Sequence, residues 1–179
     1  MIYTKKILIT GGPGSGKTSL INELAKRNFN CEHEIVRSLT LEGKKRGNNQ
    51  PFLKNPLKFT DELLDLRIIQ FNKIQGNKIT FYDRGVHDTL AYLSYVNIDI
   101  NENLIKKCKK IKYDLIFALS PWEKIYKKDE CRYENFDESK KIFNHIIKIY
   151  KYFKMDIIVL KQGTIDERVK EILSHIKQK

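Results

Sequence analysis

The 179-residue chain has no run of about 18 apolar residues, so no segment reads as a helix spanning a bilayer. Cysteine is scarce. Cys31, Cys108 and Cys131 lie far apart, are odd in number and form no CxxC pair, which argues against a disulfide framework and points to a reduced, cytoplasmic setting. The N-terminus passes almost directly into an apolar, strand-like run, so a signal peptide is not expected. No internal repeat and no linker interrupts the chain, and residues 1–179 read as one domain, large enough for a real core. Acidic residues are outnumbered, 22 against 34 basic, for a net charge of +12. Such an excess would suit an anionic partner, nucleic acid or acidic lipid. The lysines, however, are spread over the whole sequence, and compositional bias gives the same total. What is present, 41% apolar and 31% charged residues, fits a soluble globular protein.

The apolar residues are ordered as strands alternating with helices. Lys6–Thr10 is a short apolar run ending at glycines and reads as a buried strand. Thr18–Arg27 carries Leu20, Ile21 and Leu24 at helical spacing, and Asn30–His33 reads as a second strand. A polar stretch, Glu42–Pro51, has the glycines and prolines of a loop. Leu64, Ile68, Phe71 and Ile74 predict a helix before Gly76, and Lys78–Tyr82 a strand ending at Asp83 and Arg84. Asp88 is placed to cap a helix carrying Leu90, Leu93 and Val96, with Leu104, Cys108 and Ile111 continuing helically. Tyr113–Ala118 and Asp156–Leu160 are the last two strands, separated by a helical stripe of Phe143, Ile146, Ile147, Tyr150 and Phe153. Thr164 and Glu167 form a capping box for a final helix with Val169, Ile172, Leu173 and Ile176 on one face. This order predicts an α/β three-layer sandwich around a mostly parallel five-stranded sheet. Ligands in such folds sit at the carboxyl ends of the strands.

The first strand end carries the clearest motif. Gly11, Gly12, Pro13, Gly14, Ser15, Gly16, Lys17 and Thr18 read GGPGSGKT, the GxxxxGK[ST] pattern of a P-loop, between a strand and a helix as the chemistry requires. The glycines let backbone N–H groups surround phosphate oxygens, and the helix beginning near Lys17 aims its positive dipole end at the same anion. Lys17 is expected to reach the β- and γ-phosphates, Thr18 to bind Mg²⁺ through its hydroxyl, and Ser19 to sit at the nucleotide beside them. Asp83, at the end of the third strand, is expected close by and able to hold Mg²⁺ as a Walker-B acid does, with Arg84 facing the transferred phosphoryl group or an acceptor. The bland alternative for both is a salt bridge or a helix cap.

Later strings carry a family resemblance. FYDRGVHDTLAY over 81–92 resembles the DRGxxDxxAY segment of a small AAA-labelled P-loop ATPase family. That family is similar to the nicotinamide riboside kinase domain of bacterial nicotinamide-nucleotide regulators and, more distantly, to deoxynucleoside and thymidylate kinases. CEHEIVR over 31–37 resembles its PEAAR segment, with His33 standing where proline is usual, and Pro121 through Glu134 resembles its lid, about 121–138. Gln162–Arg168 resembles its terminal segment. The resemblance implies a nucleoside-kinase-like fold with a helical lid. It places Glu34 near an acceptor hydroxyl, as a general base, with Arg37 beside it; an exposed carboxylate at a helix start is the alternative. In the lid, Trp122 is an apolar anchor, more core packing than a base platform, among Lys124, Lys127, Lys128 and Arg132. Arg132 is the expected catalytic arginine, because a planar guanidinium can fork two phosphate oxygens. Gln162 is placed to touch adenine, unless Gly163 merely permits the turn into the last helix.

Three functions compete. The first is a phosphotransferase that uses ATP, with GTP as an alternative, and Mg²⁺ to phosphorylate a small, nucleoside-like hydroxyl acceptor through Lys17, Asp83, Arg84, Glu34 and Arg132. The second is a nucleotide switch without a small-molecule acceptor. A guanine switch normally carries an NKxD base reader, which is missing: Asn72–Gln75 and Asn77–Thr80 both lack the final aspartate. The third is a polynucleotide 5′-hydroxyl kinase or a module for anionic lipid, suggested by net charge and by Lys44, Lys45 and Arg46. A zinc site is not supported, since Arg37 stands where HExxH needs its second histidine. The kinase uses the most motifs in one arrangement and is the expected activity.

Overall fold

The computed structural model describes residues 5–36, 39, 54–73, 79–126 and 134–177. Its strands are β1 (Lys6–Gly11), β2 (Asn30–Glu32), β3 (Thr80–Asp83), β4 (Leu115–Leu119) and β5 (Ile158–Leu160). Its helices are α1 (Lys17–Lys26), α2 (Pro56–Asn72), α3 (Asp88–Tyr95), α4 (Glu102–Lys109), α5 (Phe136–Tyr152) and α6 (Ile165–Lys177), with a short 3₁₀ turn at Glu123–Ile125. The strands form one sheet in the order β2-β3-β1-β4-β5, and each neighbouring pair is parallel.

Alternation along the strands builds the layers. Ile7 and Ile9 of β1, Phe81 of β3 and Phe117 of β4 pack with Leu20, Ile21 and Leu24 of α1 and with Val169 and Ile172 of α6. Leu8, Tyr82 and Ile116 face the other way, toward apolar residues of α2, α3, α4 and α5. With both faces covered, β1, β3 and β4 are buried almost throughout, as a parallel sheet requires.

Local signals set the helix starts. The Asn55 side chain accepts from the Lys58 amide with Pro56 in the first turn, and Asn135 and Glu138 form a reciprocal capping box. Thr164 and Glu167 do the same ahead of α6, with the Thr164 amide donating to Glu167 Oε2 at 2.7 Å. Three expectations need correction. The helix through Leu93 does not continue to Ile111: it ends at Tyr95, Asn97 takes φ +56°, and Asn101 caps the separate α4. The buried stripe of α5 is Ser139, Ile142, Ile146, Ile149 and Tyr150, rotated from the expected line, so that Phe143 and Ile147 are only partly buried. Asp88 is not an N-cap. It lies in the first turn of α3, and its carboxylate turns back toward β1. The predicted positions Ile74 and Lys78 lie outside the described residues.

Candidate active site at the carboxyl edge of the sheet

β1 is the central strand, and its register with β3 sets Ile9 opposite Asp83. The loop that leaves β1 and the acid that ends β3 therefore meet at one edge. The loop begins at Gly11, whose φ of +143° and approach to β4 exclude a side chain: a Cβ there would stand 2.3 Å from the Leu119 carbonyl oxygen. It ends at Lys17, the first residue of α1.

Lys17 is 5% exposed. Its Nζ donates to the Gly12 carbonyl at 2.8 Å and to Ser15 Oγ at 3.3 Å. Burial, reinforced by the nearby Arg84 cation, lowers its pKa to about 7 against the opposing pull of Asp83, Glu34 and Asp88. An anion placed in this loop would restore the charge on the ammonium. Thr18 Oγ1 lies 3.5 Å from Asp83 Oδ2, and Asp83 Oδ1 is buried without a hydrogen-bond partner among the described residues. Burial and the Glu34 charge push the Asp83 carboxyl up, with Lys17 and Arg84 pulling the other way.

Arg84 adopts φ +73°, a left-handed conformation uncommon for a bulky side chain. The geometry is held from several sides. The Arg84 amide donates to the Ile9 carbonyl at 3.0 Å, its Nη1 donates to the Gly11 carbonyl at 3.3 Å, and its Nε lies 2.5 Å from Glu34 Oε1. Burial pushes the Glu34 carboxyl up, but Arg84, Lys17 and Arg67 together outweigh it and hold the group below the usual carboxylate range. Glu34 is therefore held as a carboxylate. Asp88 braces the turn after Arg84, accepting from Thr10 Oγ1 at 2.7 Å and from the Gly85 amide at 3.0 Å. From α2, Arg67 Nη1 donates to the Gly85 carbonyl at 2.8 Å and Gln70 Nε2 to the His33 carbonyl at 2.9 Å. One helix thus fixes the segments carrying both members of the Glu34–Arg84 pair.

The fold that carries this loop and acid is shared with known proteins. A family model described as an AAA domain matches residues 6–168. The chain belongs to this AAA-domain family. It is also similar to a thymidylate kinase from Caldicellulosiruptor saccharolyticus, 24% identical with 98% of each chain covered. Among solved structures, deoxyadenosine kinase from M. mycoides with bound dATP superposes with a TM-score of 0.69 at 14% identity, covering 96% of this chain and 99% of that one. NadR protein in complex with NAD and AMP-PNP superposes with a TM-score of 0.68 at 18% identity, covering 94% of this chain and 49% of that one. This AAA-domain protein is a P-loop enzyme of kinase-like fold.

The structure brings Gly11, Gly12, Pro13, Gly14, Ser15, Gly16, Lys17, Thr18, Asp83, Arg84 and Glu34 to one edge, as the sequence predicts. Ser19 lies exposed on the first turn of α1. Gln162 is exposed and donates to the Pro121 carbonyl at 3.2 Å, which places it beside the start of the 121–126 segment. Trp122 is half-buried, and its ring lies 5.2 Å from the Arg168 guanidinium carbon. Arg132, Arg37, Lys127, Lys128 and the Lys44–Arg46 cluster lie outside the described residues. Sequence reasoning passed over Arg67, Asp88 as a brace, Ser139 and Arg168. Two of them left a readable trace. Arg67 interrupts the apolar line Leu63, Leu64, Phe71 on α2, and Arg168 precedes the buried Val169 and Ile172 on α6. A charge on the inner face of a helix marks a group that needs a partner inside.

Proposed function

We propose that this protein is an ATP- and Mg²⁺-dependent phosphotransferase that moves the γ-phosphoryl group to a hydroxyl of a small, nucleoside-like acceptor. The observation that carries the reading is the partly buried Glu34 carboxylate, held ionised and paired with Arg84 beside the P-loop lysine and Asp83. A hydrolase or switch needs the phosphate cradle and the acid at the strand end. A fixed carboxylate gripped by an arginine on the far side of that cradle is what a hydroxyl acceptor needs. Glu34 would take the hydroxyl proton as the oxygen attacks phosphorus, and Arg84 keeps that carboxylate ionised and aimed. The same fixed negative charge disfavours a phosphate-monoester acceptor, which arrives already ionised and needs no base. On this reading the acceptor is a nucleoside hydroxyl rather than a nucleoside monophosphate.

The donor set fits a hard divalent cation. Thr18 offers a hydroxyl, and Asp83 offers a carboxylate with one buried oxygen that has no hydrogen-bond partner among the described residues. Mg²⁺ is commonly held by one or two protein oxygens, with phosphate and water completing its shell, and when bound it neutralises charge on the transferring group. Lys17 and the loop amides would bind and orient the triphosphate.

The test is transfer of label from γ-labelled ATP across a panel of nucleosides, nucleoside monophosphates and 5′-hydroxyl oligonucleotides, with and without Mg²⁺. Mg²⁺-dependent label on a nucleoside hydroxyl is the expected result. Slow phosphate release that no acceptor accelerates would establish the switch reading instead, and label on oligonucleotides alone would establish the polynucleotide kinase.

A further inference from the structure

The P-loop works only if its amides face the phosphates. Every peptide among the described residues is trans, so within each peptide plane the C=O and the next N–H point in opposite directions. Whatever holds a loop carbonyl outward therefore aims the following amide inward. Two side chains from distant helices do this. Ser139, on α5 and fully buried, donates from Oγ to the Pro13 carbonyl at 2.6 Å, which sets the Gly14 amide. Arg168, on α6 and 5% exposed, donates from Nη1 to the Ser15 carbonyl at 3.1 Å, which sets the Gly16 amide. The Gly12–Pro13 peptide follows the complementary rule. Proline has no N–H to offer an anion, and there the Gly12 carbonyl turns to Lys17 Nζ.

Arg168 is unusual in other ways. It forms no ion pair among the described residues, its Nε is buried without a hydrogen-bond partner, and its guanidinium stacks on Trp122. Gly16 gives it room, because a Cβ there would stand 3.2 Å from Nη1. A buried cation kept without an ion-pairing carboxylate is costly, and this one lies against the loop whose ligand is anionic.

We propose that Ser139 and Arg168 are positioning residues that hold the Gly14 and Gly16 amides toward a bound polyphosphate. The proposal rests on the loop being a phosphate site, as the proposed function has it. It is tested by calorimetric titration of the full chain with magnesium tripolyphosphate, which lacks base and sugar, alongside thermal denaturation and the kcat and KM for ATP. Arg168→Met is expected to weaken tripolyphosphate binding about tenfold and Ser139→Ala about fivefold, as hydrogen bonds to charged and neutral donors are lost. Arg168→Lys is expected to recover most of the affinity, since an ammonium can still donate to the Ser15 carbonyl. ATP KM is expected to rise with kcat less affected. Folded Arg168→Met and Ser139→Ala that bind tripolyphosphate like the wild type would overturn the proposal, even if both melt earlier. A wild-type chain that binds no tripolyphosphate would instead overturn the reading of the site itself.

Discussion

His87 makes the chain acid-sensitive in a way that can be calculated. It sits in the turn between Arg84 and α3, fully buried, against the rings of Tyr150 and Phe153 at 5.2 and 4.6 Å between centroids. Among the described residues neither ring nitrogen has a well-formed hydrogen bond, although the Cys108 backbone is near. Burial lowers its pKa from 6.5 to about 4, against the pull of Asp88. A histidine whose folded pKa is depressed contributes stability that is fully present above 6.5 and is lost as pH falls, because the unfolded chain takes the proton first. With these two values the wild type loses about 2 kcal/mol from this group between pH 7.5 and pH 5, approaching about 3 kcal/mol below pH 4. His87→Phe removes the titration and keeps a flat ring in an aromatic pocket. Urea denaturation of both proteins at pH 7.5, 6 and 5 measures the effect. The stability difference between them is expected to shift by about 2 kcal/mol in favour of the variant across that range. Changes common to both proteins, including the carboxylates, cancel. Parallel pH profiles would refute the reasoning, and with it the picture of a neutral imidazole locked beneath the turn that carries Arg84.

The remaining predictions concern the site. Glu34→Gln should lower kcat for phosphoryl transfer by about 10²–10⁴ while ATP affinity, followed by calorimetry, stays within about threefold. An unchanged kcat would remove the base. The same variant should melt earlier, because the buried Arg84 loses its counter-charge. Lys17→Ala should lower the turnover rate by about 10²–10³, as expected on removing a charge-stabilising donor. Wild-type turnover at saturating ATP would show that the ammonium does not act on the phosphates. Asp83→Asn should raise the Mg²⁺ concentration needed for half-maximal activity, and an unaltered magnesium titration would take Asp83 out of the metal site.

Much of this site is legible in the sequence. A P-loop is local: eight consecutive residues must form a turn between a strand and a helix, so glycine spacing, the lysine and the apolar run before them are enough to recognise it. The alternation of strands with helices, the Thr164–Glu167 capping box and Asp83 at a strand end were readable for the same reason, since each depends on neighbours within a few positions. The structure departs from the sequence pattern where the deciding contact is not local. The helical spacing of Leu104, Cys108 and Ile111 is real, but it belongs to a second helix, because Asn97 and Asn101 offered a turn and a cap that a periodicity count does not weigh. Asp88 has the right spacing for an N-cap, yet the Thr10 hydroxyl and the Gly85 amide compete for its carboxylate.

What the sequence alone determined, then, was the phosphate cradle, the α/β alternation and the identity of the acid beside the loop, all consequences of short-range backbone geometry and hydrophobic period. The packed fold adds that Glu34 pairs with Arg84, that α2 bonds the neighbours of both through Gln70 and Arg67, and that Ser139 and Arg168 donate to carbonyls of the loop. Those contacts join residues as many as 153 positions apart. The strand order 2-3-1-4-5 brings them together, and buried polar groups must then find their partners across the fold.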